Sequence, residues 1–322
     1  MSVIAAFADH VGPAGSGPVS CVGGRTHWSV GGTASPSARE VAAPSGVVAH
    51  EPGEMIVRVR AGTTLSELAA ATAVGGQFVA LEADDPDRAT VGGVLACGRS
   101  GVRRLGRGPV RDSVLEVTAI TARGEVIRAG APLVKNVTGF DLCRLLVGSV
   151  GTLAFLAEVV LRCHPLPEVE AWWASAPGAG VDPFALHARL YRPLAVLWDG
   201  DRVWVGLAGH GADVEAQARA VLLRDGGFAP AEGPPRLPVG ARRSLPPGEL
   251  SDLPERAGPG GWVAEVGVGL VHMEQAAARS VPARPASPGV VELHRRIKDR
   301  FDPDGRLNPG RSPLVTAGVA AP

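Results

Sequence analysis

The chain has 322 residues, with 32 basic and 32 acidic side chains that give a formal net charge of zero. Such a balance offers no electrostatic argument for binding nucleic acid or an anionic membrane surface. At 45% hydrophobic and 20% charged residues the chain can bury a core, and its length accommodates two domains.

Glycine (43) and proline (28) both exceed average usage, which favours a loop-rich α/β or α+β protein over a helical bundle. Basic charge is almost all arginine; the lysines are Lys135 and Lys298. The four cysteines, Cys21, Cys97, Cys143 and Cys163, form no CxxC pair. Neither a metal or iron–sulfur site nor a disulfide framework is therefore expected. No basic-then-apolar leader opens the chain, and the most apolar run, Leu145 to Leu161, is short and interrupted. A cytoplasmic protein without a transmembrane segment is the expectation.

Ser2 to His10 reads as a short helix and Val19 to Val22 as a strand that feeds the glycine loop Gly23–Gly32. A strand running into a glycine loop presents main-chain N–H groups to a pyrophosphate. The loop is not G-x-G-x-x-G, so a Rossmann reading fails. Val47 to His50 and Met55 to Val59 alternate like strands around a Pro52-Gly53 turn. Thr63 to Thr72 reads as a helix, with Thr64 as N-cap and Glu67 completing a capping box. Between Thr90 and Pro167 lie four glycine-containing knots: Thr90–Gly93, Gly98–Gly101, Lys135–Asp141 and Gly148–Thr152. Each alone is an ordinary turn; the series points to a large phosphate-bearing ligand lying along loop backbone. Val114 to Ala122 and Glu125 to Arg128 read as a hairpin, Leu142 to Leu146 as a helix and Leu153 to Arg162 as a buried strand.

Beyond Pro167 a hairpin is expected from Ala195–Asp199 and Arg202–Ala208, followed by a helix from Ala212 to Arg224 and a strand from Trp262 to Leu270. This β-β-α-β unit would be joined by a mobile Pro/Gly-rich connector from Pro230 to Gly261. An amphipathic helix from Val290 to Phe301 precedes Asp302–Arg311, and a frayed tail closes the chain. His210 reads as a hairpin-exit residue, and His272 and His294 as isolated surface or packing residues.

Taken in order, VGGRTHW (Val22–Trp28), RAGTTLSEL (Arg60–Leu68), ATVGG (Ala89–Gly93), GPVRD (Gly108–Asp112), VKNVTGFD (Val134–Asp141), GSVGTLAFLAEVVLR (Gly148–Arg162) and FDPDGRLNPGR (Phe301–Arg311) cover roughly half the chain. This ordered set resembles the flavoproteins that bind FAD in the vanillyl-alcohol-oxidase or PCMH manner, and among them the FAD-binding subunits of bacterial glycolate oxidases. The resemblance implies an α+β fold: a PCMH-type FAD-binding domain of two α+β subdomains over residues 1–167, a small α/β cap over 168–285, and a C-terminal helix and NPGR tail over 286–322.

By the same resemblance, Gly23, Gly24, Arg25, Thr26 and His27 would wrap the pyrophosphate. Thr90, Val91, Gly92, Gly93, Ser100 and Gly101 would line the phosphate–ribityl path, and Gly148, Gly151 and Leu156 would run beside the ring or adenosine. Arg111 and Lys135 are the candidates for a substrate cation or base, with an Arg111–Asp112 structural ion pair the competing reading. Arg25 stands where the family usually has a third glycine, and Phe140 where it has tyrosine. No histidine fits covalent flavin attachment, so noncovalent FAD is expected. Catalytic relatives carry a histidine-rich G-H-x-G-D-G-N-x-H motif; here only Gly209-His-Gly-Ala-Asp213 occurs.

The implied function is the FAD-binding subunit of a glycolate (2-hydroxy acid) oxidase or dehydrogenase complex. It would act beside a catalytic flavoprotein subunit and an iron–sulfur subunit, and reach the inner face of the membrane through them. The alternatives are a standalone FAD-dependent 2-hydroxy acid dehydrogenase, a scaffold subunit that has lost flavin, and an NADPH-using enolpyruvyl-sugar reductase of the same fold. The FDPDGRLNPGR segment argues against the last.

Overall fold

The computed structural model describes residues 2–131, 141–224, 227–258 and 260–316. Lys135, Asn136 and Phe140, and the tail beyond 316, lie outside them. The chain forms two compact units, one of residues up to 101, 109–166 and from 285 onward, the other of 102–108 and 167–284. The C-terminal segment, expected as a separate piece, therefore belongs to the first unit, and 102–108 to the second.

The first unit is built on a five-stranded antiparallel sheet. Its strands run, in spatial order, Val47–Glu51, Ile56–Arg60, Phe155–Arg162, Val114–Ile120 and Val126–Gly130. The central strand, FLAEVVLR, is buried along nearly its whole length, as a near-continuous apolar run covered on both faces must be. Its one acid, Glu158, shares Arg58 with Glu116 at 3.2 and 2.8 Å, so the buried carboxylates are paired across the sheet. The helix Leu65–Ala73 packs Leu65 and Leu68 into this core and starts at the expected capping box, where Thr64 and Glu67 satisfy each other's backbone amides. The first glycine knot proves to be a helix start: Thr90 caps Val91–Cys97, so Gly92 and Gly93 lie in its first turn.

A short parallel pair, Val19–Cys21 with Arg39–Val41, sits beside the sheet, and the C-terminal segment returns to it. Val19 accepts from the Asn308 amide and donates to the Arg306 carbonyl. Arg306, only 3% exposed, donates to the carbonyls of Val11 (2.7 Å), Gly12 (2.9 Å), Gly17 (3.1 Å) and Ala122 (2.5 Å). Buried Asp302 accepts from the Arg306 and Leu307 amides and from Lys298. One arginine thus ties together the N-terminal helix exit, the Thr121–Glu125 turn region and the Asp302–Asn308 segment.

The second unit is a seven-stranded antiparallel sheet, larger than the β-β-α-β unit expected. Its order is Phe228–Ala231, Val169–Ser175, Val203–Gly209, Ala195–Trp198, Trp262–Glu265, Leu270–Met273 and Ala241–Ser244. The helices Pro183–Arg189, Gly211–Gln217, Pro247–Leu250, Leu253–Ala257 and Gln275–Ser280 all contribute to the core on one face, with Trp173, Trp198 and Trp262. The other face carries Trp172, Leu197, Trp204 and Val263. The expected strand Trp262–Leu270 is instead a hairpin, since Gly267 (φ 83°) and Gly269 (φ 82°) turn the chain. The expected helix continues past Gln217 as a π-helical stretch, Ala218–Leu223. The Pro230–Gly261 connector is not a mobile loop: it holds an edge strand and two short helices with Leu250 and Leu253 buried.

Replacing Arg306 by Met removes its bonds to four carbonyls, leaving those of Gly12 and Ala122 buried without this donor, and should cost roughly 3–5 kcal/mol of first-unit stability, read as a lowered denaturation midpoint.

Candidate functional site

In the first unit a narrow cleft of ≈ 60 Å³ opens between the end of the Val19–Cys21 strand, the Thr90-capped helix and the Gly148–Leu156 turn. Of the expected site residues, Gly23, Thr90, Gly92, Gly93, Gly151 and Leu156 line it; Cys21, Ala61, Gly62, Ser149, Phe155 and Asn308 join them. Small residues make these walls. A Cβ on Gly23 would overlap the Thr90 hydroxyl, and one on Gly92 would sit 2.8 Å from Ala61 Cβ. A Cβ on Gly24 would overlap the Arg88 carbonyl oxygen.

The glycine loop supplies donors. Among the described residues, the backbone amides of Gly23, Gly24, Arg25 and Thr26 donate to no protein acceptor. Consecutive unpaired N–H groups of this kind form an anion nest. Arg25 takes φ 58°, the left-handed conformation a glycine would hold at lower cost. Its side chain leaves the loop: the guanidinium pairs with Glu40 (2.7 and 2.6 Å) and lies 4.6 Å from the Trp28 ring centroid.

The Thr90–Gly93 knot behaves differently. The Val91 and Gly92 amides are taken by the Thr63 and Ala61 carbonyls, and Gly93 donates to Thr90 Oγ1 at 3.2 Å. This segment can line a ligand but has no amide left to hold one, and the Val91 side chain is in the core. Ser100 Oγ accepts from the Val110 amide, and Gly101 packs against Glu82; neither lines the cleft. Gly148 faces a neighbouring groove. His27 Nδ1 lies 3.3 Å from Thr26 Oγ1.

Asn308 organises the cleft. Its Oδ1 accepts from the Cys21 amide (3.0 Å) and its Nδ2 donates to the Val150 carbonyl (2.6 Å). Val150 is 2% exposed and holds φ 53°, a strained state for a β-branched residue. The bond from Asn308 and another from the Val150 amide to Ala96 fix it there. Arg311, three residues on, lies 4.0 Å from the Trp28 centroid and donates to the Trp28 carbonyl at 2.7 Å. Arg99, half-buried, has neither a hydrogen bond nor a carboxylate partner among the described residues. Burial lowers the pKa of both guanidiniums from the usual arginine value. Single-sequence reading gave neither arginine a role.

Arg111 is exposed, 3.9 Å from Asp112, which also pairs with Arg144 at 3.3 Å. The surface ion-pair reading is the one this geometry favours. His210 pairs with Glu168 at the surface, ahead of the helix Gly211–Gln217. Among the described residues no group of three His, Cys, Asp or Glu side chains is placed to hold a metal, and no helix is long and apolar enough to cross a membrane.

Residues 12–130 match an FAD binding domain and residues 240–312 the C-terminal domain of FAD linked oxidases. Glycolate oxidase subunit GlcE of Escherichia coli is 30% identical over 299 residues, covering 83% of this chain and 84% of that one. The chain belongs to the FAD-linked oxidase family. Other relatives match over shorter stretches. Glycolate oxidase subunit GlcD of Bacillus subtilis is 34% identical over 35% of this chain and 24% of its own length. D-lactate dehydrogenase of Archaeoglobus fulgidus is 43% identical over 24% and 18%. An alkyldihydroxyacetonephosphate synthase structure shares the fold, with TM-score 0.67 at 14% identity over 95% of this chain and 73% of that one. The cofactor of this FAD-linked oxidase is FAD, and the cleft fits it: a run of unpaired amides suits a diphosphate, and glycine and alanine walls allow close approach.

Two outcomes test this geometry. Asn308→Ala should cost about 2–3 kcal/mol and reduce flavin content, since it leaves the Cys21 amide and Val150 carbonyl without partners. Burial pushes the Cys21 thiol up to about 12, despite an opposing hydrogen bond from the Ala43 backbone. The thiolate is therefore scarce at pH 8, and iodoacetamide should label Cys21 only after unfolding, as read by peptide mass spectrometry.

Proposed function

We propose that this chain is the FAD-holding subunit of a glycolate-type (2-hydroxy acid) oxidase or dehydrogenase complex. The observation that carries the reading is the row of unpaired amides at Gly23–Thr26, on a loop set by the Asn308-anchored strand. These amides would hold the pyrophosphate, with Thr90, Gly92 and Gly93 against the sugar chain and Gly151 and Leu156 beside the ring or adenosine. FAD, when bound, supplies the two-electron acceptor for oxidation of a substrate carbon. The protein's part is to place it, exclude water and hold the substrate.

Likeness to a glycolate oxidase subunit over most of both chains supports the complex. So does the sequence, which has only Gly209-His-Gly-Ala-Asp213 where catalytic relatives carry the histidine-rich motif. The partners would be a catalytic flavoprotein and an iron–sulfur subunit, met in the cytoplasm or at the inner membrane face. Noncovalent attachment is part of this reading, because no histidine stands at the family's attachment position.

The purified chain should show a flavin absorption spectrum, and acid precipitation should release that flavin into the supernatant. Co-expression with the two partners should bring down a complex containing iron and additional flavin. A colourless chain that takes up no added FAD contradicts the proposal.

A further inference from the structure

The glycine loop is braced from outside by one arginine to which the cofactor reading gives no task. Arg88 Nη2 donates to the Gly24 carbonyl at 3.2 Å, and Nη1 lies 3.6 Å from Asp85 Oδ2. The main chain of Arg88 meets the same glycine: a Cβ on Gly24 would stand 1.6 Å from the Arg88 carbonyl oxygen. The base of this brace is fixed. The Arg88 amide donates to the Asp85 carbonyl at 3.3 Å. The Pro86 and Ala89 carbonyls accept from the Ser66 and Leu65 amides at 3.1 and 2.9 Å, at the start of the helix Leu65–Ala73.

What lies across the peptide gives the bond its consequence. In a trans peptide the C=O and the N–H point in opposite directions. Holding the Gly24 carbonyl toward Arg88 therefore turns the Arg25 N–H away from Arg88, and that N–H is one of the four unpaired loop amides. The neighbouring torsion opposes this arrangement. Arg25 stands at φ 58°, in the left-handed region that costs free energy for a residue with a Cβ. Turning the Gly24–Arg25 peptide over returns Arg25 to a negative φ and reverses its N–H. Gly24 absorbs the matching change in ψ, since glycine is permissive. Turned over, the peptide offers a carbonyl oxygen where it had offered an N–H, and a carbonyl oxygen repels an anion.

We propose that Arg88 is a positioning residue for the cofactor's diphosphate: its bond to the Gly24 carbonyl keeps the Gly24–Arg25 peptide in the orientation that offers the Arg25 N–H. The proposal rests on the reading of Gly23–Thr26 as the diphosphate site. Arg88 acts through the peptide plane and is not itself a ligand. The brace is needed because an arginine occupies position 25; a glycine holds positive φ without strain.

The test is a double-mutant cycle on the full chain, read by calorimetric titration with ADP and with FAD. Arg88→Met should weaken both by roughly three- to tenfold, as the loss of one hydrogen bond does. Arg88→Lys, which keeps a donor, should recover most of that loss. In the Arg25→Gly background, Arg88→Met should change the dissociation constant by less than about twofold. Circular dichroism reports the folding of each variant. The Arg25 amide resonance is a second readout: its shift on saturation with ADP should shrink in Arg88→Met and return in Arg88→Lys. An equal loss in both backgrounds makes Arg88 a plain counter-charge and overturns the proposal. An Arg88→Met chain that binds ADP as the wild type does also overturns it, with the cofactor reading intact. A wild type that binds neither ADP nor FAD fails the cofactor reading, and the proposal with it.

Discussion

The first unit depends on one constraint: the segment around Arg306–Asn308 must return to the first strand. Val19 is bonded on both sides by that segment, through the Arg306 carbonyl and the Asn308 amide, and the Asn308 side chain bridges Cys21 to Val150. Without the return, a three-residue strand paired only to Arg39–Val41 would be marginal, and the glycine loop that follows it would have no fixed direction. The strain at Val150 has the same origin. A valine is held in left-handed geometry because bonds to both its peptide groups over-determine it. A residue near position 308 thus sets the shape of a site whose other parts lie near positions 23 and 150.

Much of the fold was legible in local signals. The Thr64–Glu67 capping box, the Val114–Gly130 hairpin, the buried central strand and the C-terminal helix rest on caps, turns and periodicity that act over a few residues. What the sequence hid was long-range or masked by glycine. Gly92-Gly93 reads as a turn, yet Thr90 caps a helix there, and the glycines serve to let the helix approach Ala61. The strand Ala241–Ser244 carries two arginines inside a Pro/Gly-rich stretch, so neither alternation nor apolar content marks it. One arginine faces Glu265, and the other donates to the Val281 carbonyl.

The same limit applied to the site. The sequence offers the glycine loop as a candidate phosphate site, but the conformation that makes Arg25 tolerable, with its guanidinium turned to Glu40 and Trp28, needs the folded pair of strands. His272 looks isolated because its partner Glu265, seven residues earlier, meets it only after the Gly267–Gly269 turn folds the run into a hairpin. Family likeness supplied the cofactor; the division of labour inside the loop, donors at Gly23–Thr26 and walls at Thr90–Gly93, came from where each amide bonds.

The most direct measurement is an amide-resolved NMR titration of the flavin-free chain with ADP, the diphosphate half of the cofactor. The account predicts that the amide protons of Gly23, Gly24, Arg25 and Thr26 shift downfield together and saturably, while those of Val91 and Gly92, already bonded to carbonyls, move little. Unchanged loop amides with shifts elsewhere would contradict it, because the diphosphate would then be held by something other than the unpaired backbone of this loop.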